Sequence, residues 1–159
     1  MIANEAKTPS ESYTEQVHMV NAADLNGYKR LFGGTLMAWI DIVAATAARR
    51  HAGTNVTTAT IDTLNFLTPA YSNDLVVLTG KLTYVGNTSM EVCVKTYVEQ
   101  YDGKRNLINE AHVVLVALDA DDKPTAVPPL APQTDEEREE YEAGRRRKAL
   151  RKKRSIEKY

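Results

Sequence analysis

An α+β fold, in which a curved antiparallel sheet wraps one long central helix, is predicted by three features of this 159-residue chain. One alanine-rich run has helical character, a strand-like segment precedes it, and four strand-like segments follow it. A helix enclosed in this way has little solvent face and must be apolar on nearly every side, and GGTLMAWIDIVAATAARRHA is.

Residues 1–11 are polar and are expected to form a flexible N-terminus. SYTEQVHMV (12–20) suits a first strand with Tyr13, Val17 and Met19 on one face. A loop dense in Asn, Asp and Gly follows, and the helix then starts at Gly33-Gly34-Thr35 and ends at Gly53 as its C-cap. Arg49, Arg50 and His51 crowd its last turn, where positive charge complements the helix dipole. Segments 56–66, 74–86, 88–101 and 107–119 are rich in Val, Thr and Tyr and are joined by short turns such as Asn87 and Asp102-Gly103, which predicts an antiparallel meander. Pro124, Pro128, Pro129 and Pro132 end the sheet, so the folded domain is expected over 12–132. Residues 133–159 remain as a charged tail, helical or disordered. Gly144 separates its acidic from its basic half and weakens a continuous helix.

Length allows one domain with a real core. Twenty Lys and Arg against 21 Asp and Glu leave a net charge near zero, which argues against a nucleic-acid binder, although ten of the basic residues fall in the last 25 positions. A solvated extension is the first expectation for that basic run, and a phosphate contact the second. Cys93 is the only cysteine, which excludes an internal disulfide, and His18, His51 and His112 show no ligand spacing, so no metal site is expected. Without a leader-like N-terminus or a long apolar run, the chain is expected to be cytoplasmic and not membrane-bound.

Asp41 breaks the helical pattern. At 100° per residue it shares a sector with Met37, Ala38, Ala44, Ala45, Ala48 and Ala52, and no Lys or Arg lies three or four residues away. One reading makes that sector a solvent stripe with Asp41 simply hydrated; the other makes it a site. Favouring the second, Gly33-Gly34 lets a ligand approach the free N–H groups of the first turn, and a carboxylate two turns on, about 10 Å along the axis, could flank a substrate lying there. A polarising donor with a base further along suits acyl transfer to water.

Asp24-Leu25-Asn26, Leu31-Phe32-Gly33-Gly34, Leu36-Met37, Asp41, Val56-Thr57, Asp62, Phe66, Pro69, Asp74, Val85-Gly86 and Thr88-Ser89-Met90 together resemble the hot-dog-fold acyl-CoA thioesterases of the bacterial and brain-type acyl-CoA hydrolase group. The resemblance runs in order from about residue 12 to 120. It implies dimers whose sheets join edge to edge, commonly three to a hexamer, with the active site at the dimer interface.

Carried over residue by residue, it implies that Asp41 is the general base, or less readily a nucleophile. Asn26, from the partner subunit, is its amide partner, and the Gly34 N–H polarises the thioester carbonyl beside Gly33. Gly33, Gly86, Asn87, Thr88 and Ser89 are expected to contact the substrate or its coenzyme A. No cofactor is implied beyond the coenzyme A of substrate and product. Asn26-Gly27-Tyr28-Lys29 and Asn73-Asp74 depart from the pattern of many relatives. Asp62 is expected to be a hydrogen-bonding structural residue rather than a second acid. A dehydratase of the same fold would want a histidine near the helix start, where none lies. A non-catalytic acyl-CoA-binding module is the alternative of a different class.

Overall fold

The computed structural model describes residues 5–158 of the chain. In chain order it contains α1 (Pro9–Ser12), β1 (Thr14–Met19), a 3-10 turn at Ala22–Asp24, α2 (Gly33–Ala52), β2 (Asn55–Phe66), β3 (Leu75–Val85), β4 (Ser89–Glu99), β5 (Arg105–Leu118) and α3 (Asp135–Glu157). The strands form one antiparallel sheet in the order β1-β3-β4-β5-β2, with α2 held against its inner face. This is the hot-dog arrangement that the sequence predicts.

The meander is shorter than expected. Only β3, β4 and β5 are sequential neighbours, whereas β2 lies at the edge beyond β5. Two residues separate α2 from β2, so β2 must run back along the helix, and the segment 67–74, with Pro69 in it, then carries the chain across to start β3.

Alternation decides which face each strand buries. Val76, Leu78 and Leu82 of β3, Val92 and Val94 of β4, and Ala111, Val113 and Leu115 of β5 point inward and meet Leu36, Ile40, Val43, Ala44 and Ala47 of α2 in the core. Gly80 sits where the helix crosses closest: a Cβ there would lie 2.8 Å from Val43 Cγ1. At the helix end Gly53 takes φ +69° and its N–H donates to the Arg49 carbonyl, the expected cap. Tyr13, Val17 and Met19 do share a face, but it is the exposed one in this chain.

Both termini are held against the domain, and the tail takes the helical of its two expected forms. Residues 1–4 of the expected flexible segment lie outside the described residues, but Lys7 pairs with the 129–131 segment, its N–H donating to the Pro129 carbonyl at 2.9 Å. Its ammonium donates to the Arg50 and His51 carbonyls at 3.2 and 2.9 Å, capping the negative end of α2.

The tail is not interrupted, and one side of it is docked although most of its side chains are exposed. α3 is one helix, capped by Thr134 and Glu137, lying on the outer face of the sheet. Gly144 does not break it; it permits the docking. A Cβ at that position would stand 2.6 Å from Tyr84 Cβ and 3.0 Å from Glu91 Oε1. Three arginines then reach two carboxylates of the sheet: Arg147 to Glu91, Arg151 to both Glu91 and Asp62, and Arg154 to Asp62. Gly144→Leu is expected to lower stability by about 1–3 kcal/mol in a denaturant melt, the usual cost of overpacking, whereas an interrupted, solvated tail would tolerate it. Among the described residues no helix is long and apolar enough to cross a membrane.

Candidate functional site

The two ends of the sheet hold different parts of the predicted constellation. At the Phe66 end, Asn26, Arg30, Leu31, Gly33, Phe66 and Leu67 line a cleft of about 380 Å³. Asn26 is half-buried there, and its Oδ1 accepts from the N–H groups of Tyr28 at 2.9 Å and Arg30 at 3.2 Å. That bond pattern ties the 26–30 loop to the asparagine and leaves the amide nitrogen as its free donor. Lys29 completes the turn with φ +59°, which answers how the loop accommodates its unusual sequence.

Gly33 and Gly34 open α2 directly beside this loop. Leu36 is the first residue whose N–H bonds back, to the Phe32 carbonyl at 3.0 Å, so the N–H groups before it have no acceptor within the helix. Both glycines also admit aromatic rings. A Cβ on Gly34 would lie 2.7 Å from Phe32 Cε1, and one on Gly33 would lie 3.6 Å from Phe66 Cζ. Phe32 and Phe66 are themselves half-exposed.

Asp41 stands two turns further on, outside the cleft. Met37, Ala38 and Ile42 around it are exposed and Ala45 is half-buried, but Ala44 and Ala48, expected in the same sector, are fully buried in the core. Asp41 therefore sits on the border between the buried stripe and an open apolar side. Its carboxylate accepts a hydrogen bond from Thr58 Oγ1 of β2 at 2.6 Å, a short, charge-assisted contact. Sequence reasoning missed Thr58. The signal was available, because β2 runs back antiparallel to α2, but four polar or small residues, Thr57, Thr58, Ala59 and Thr60, look alike without the register.

Gly86–Ser89 forms the β3–β4 turn, in which the Gly86 N–H donates to the Ser89 carbonyl at 2.8 Å. The carbonyls of Asn87 and Thr88 accept from Val127 and Ala117 and tie the turn inward. The strand register sets the level of this turn. Thr58 pairs with Leu115 and Leu115 with Met90, so the turn lies at the Thr58 end, two strand spacings away, or about 10 Å. Lys148 of α3 reaches across to Gly86, with its ammonium 5.6 Å from the centre of the Tyr84 ring.

The remaining predicted residues are accounted for structurally. Asp62 forms ion pairs with Arg151 and Arg154, the structural role expected of it. His18 stacks on Trp39 with ring centres 4.1 Å apart. His51 is buried, with Nε2 2.7 Å from the Pro128 carbonyl, and burial holds its pKa below the ordinary value.

Comparison with known proteins gives a consistent result. Residues 28–102 match the thioesterase superfamily. An uncharacterized acyl-CoA thioester hydrolase of Bacillus subtilis is 39% identical over 84% of the chain and 78% of its own length. The cytosolic acyl coenzyme A thioester hydrolase of Rattus norvegicus is 32% identical over 90% of the chain, which spans only 38% of that longer protein. Among solved structures, the acyl-CoA hydrolase of Staphylococcus aureus in complex with butyryl coenzyme A and coenzyme A superposes with a TM-score of 0.91 at 37% identity, covering 96% of this chain and 94% of that one. Solved variants of that enzyme carry alanine in place of an asparagine, an aspartate fifteen residues later and a threonine seventeen later still. Asn26, Asp41 and Thr58 have the same spacing. A hexameric acyl-CoA thioesterase superposes with a TM-score of 0.91 at 39% identity, over 95% of this chain and 97% of its own.

Proposed function

From the premise that the chain belongs to the thioesterase superfamily and is an acyl-CoA thioester hydrolase, we propose that Asp41 is the general base of its reaction, with Asn26 and the Gly34 N–H as its partners. The observation that carries this reading is the 2.6 Å bond from Thr58 to Asp41, which fixes a carboxylate on the open side of α2 that has no other partner among the described residues. Asp41 takes a proton from water, and the oxygen adds to the thioester carbonyl. The Gly34 N–H, beside Gly33, receives the developing oxyanion. Collapse of the tetrahedral species breaks the C–S bond, and the proton returns from Asp41 to the departing thiolate, giving a carboxylic acid and free coenzyme A. Because a thiolate leaves readily, neither a metal nor another cofactor is required for this step.

Asn26 serves a neighbouring copy in this scheme. β2 is an edge strand whose Thr57, Thr58, Ala59 and Thr60 are all exposed, and apolar Met37, Ile42, Phe66 and Leu67 are exposed beside it. Antiparallel pairing of two β2 edges would set the Asn26–Gly33 cleft of one copy beside the Asp41–Thr58 pair of the other. Two such sites form per dimer, and assembly of three dimers is the further step, as in the hexameric neighbour. Gly86, Asn87, Thr88 and Ser89 then lie within reach of the coenzyme A portion, with Lys148 available to its phosphates.

The test is free-thiol release from a panel of acyl-CoA esters. Hydrolysis is expected from the intact protein, and Thr58→Val, which loses the hydroxyl but keeps the shape, should lower kcat about tenfold with little change in stability. Equal kcat in both would remove Thr58 and its orientation of Asp41 from the mechanism.

A further inference from the structure

Behind the sheet, on the face away from α2, the registers of β4 and β5 bring together three residues that the hydrolytic reading leaves unused. Cys93 pairs directly with His112, and Glu110 lies two positions before His112 on the same face. One ligand-capable atom from each, the thiol sulfur, an imidazole nitrogen and a carboxylate oxygen, lies within 4.8 Å of the other two. Cys93 is buried, the other two are half-buried, and a cavity of about 350 Å³ lined by Cys93, Lys95, Glu136 and Glu140 opens between this point and α3.

We propose that Cys93, Glu110 and His112 bind a divalent transition-metal cation of the zinc class, clamping β4 to β5 beneath α3. Sulfur, imidazole and carboxylate are together the donor set that such a cation takes, and three protein ligands leave a fourth position for water or for Glu140. The charges balance: a thiolate and a carboxylate neutralise the cation, and the thiol proton leaves to solvent.

Lys81, Arg105 and Glu136 also line the cavity; Lys81 is paired with Glu137, and Arg105 with Glu15 and Glu99. Arg147 is taken up by Glu91 in bonds of 2.7, 3.1 and 3.2 Å. Lys95 stands opposite Glu110 in the strand register and feels its charge without forming an ion pair. Glu140 adds negative charge from α3, and Asp62 is held by Arg151 and Arg154. The Thr63 hydroxyl lies 3.4 Å from His112 Nδ1, the kind of partner that orients an imidazole and leaves its other nitrogen for a ligand. Thr63 reaches it from a bulge in β2 at φ +51°, a backbone conformation unusual for a β-branched residue.

The same groups do not make a nucleophile. Burial pushes the Cys93 thiol up to about 12, so without a cation it stays protonated and unreactive. A cation changes this by displacing the proton, and its binding must therefore weaken as pH falls.

Cobalt(II) is the probe. The full chain, treated with chelator and desalted, is titrated with cobalt(II) and followed by absorbance. The expected result is one equivalent bound per chain with a thiolate-to-cobalt charge-transfer band. Zinc(II) should displace it, Cys93→Ser should lose the band, and Glu110→Gln should weaken binding about tenfold or more. A titration of the intact chain without a charge-transfer band overturns the proposal, whatever the variants do. So does an unchanged band in Cys93→Ser.

Discussion

Asp41→Asn is expected to reduce thioester hydrolysis by about 10²- to 10⁴-fold in kcat, the usual weight of a general base, while leaving the fold intact. The replacement is nearly isosteric, and its amide oxygen can still accept from Thr58. It cannot take a proton from water. Asp41 is only half-buried, and its one hydrogen bond among the described residues is that from Thr58, so thermal stability should change little. Two measurements separate the roles: free-thiol release gives kcat, and calorimetric binding of coenzyme A reports whether the site still assembles. A variant that turns over at the unmodified rate would eliminate Asp41 as the base. One that loses coenzyme A binding together with activity would assign Asp41 to binding instead.

The second large effect concerns stability. Glu91 is 1% exposed, yet ionised. Burial pushes its carboxyl up, but hydrogen bonds from Arg147 and Thr83 and the charge of Arg147 outweigh that and bring the pKa to about 2. Because the folded value lies below the ordinary 4.5, the group stabilises the fold fully above pH 4.5, and this contribution is lost as pH falls toward 2. A depression of that size corresponds to about 3 kcal/mol. Glu91→Gln is expected to cost about 3 kcal/mol at pH 7, because it leaves Arg147 without its partner and Arg151 with only Asp62. Denaturant melts at pH 7 and pH 3 check both halves: the deficit of the variant should be large at the first and should shrink at the second. Equal deficits at both would show that the ion pair is not its source.

How much of this was legible depended on how local the signal was. Gly33-Gly34, the alanine run and Gly53 mark α2 by periodicity and capping, and α2 is found between those limits. Asp41 was legible as an anomaly, a charge without a local partner. Its neighbours were only half right, because Ala44 and Ala48 look like Ala38 and Ala45 in sequence and differ only in what the sheet covers. Thr58 could not be singled out from its like neighbours: its relation to Asp41, seventeen residues earlier, exists only through the packing of β2 along α2. The docking of α3 was not anticipated for a similar reason. Gly144 weakens a helix by its intrinsic propensity, but here the missing side chain lets α3 approach Tyr84, and Glu91 and Asp62 supply charges that no window of the tail contains.

The sequence by itself determined the hot-dog class, the helix with its glycine C-cap, the strand segments and the family's ordered motif, all of which rest on periodicity, turn chemistry and short spacings. Tertiary structure alone decided the rest: β2 at the sheet edge rather than in a meander, Thr58 on Asp41, the arginines of α3 on Glu91 and Asp62, and Cys93 beside His112 and Glu110. Each of these joins residues far apart in the chain, and only strand register and the contour of the folded sheet bring such side chains within bonding distance.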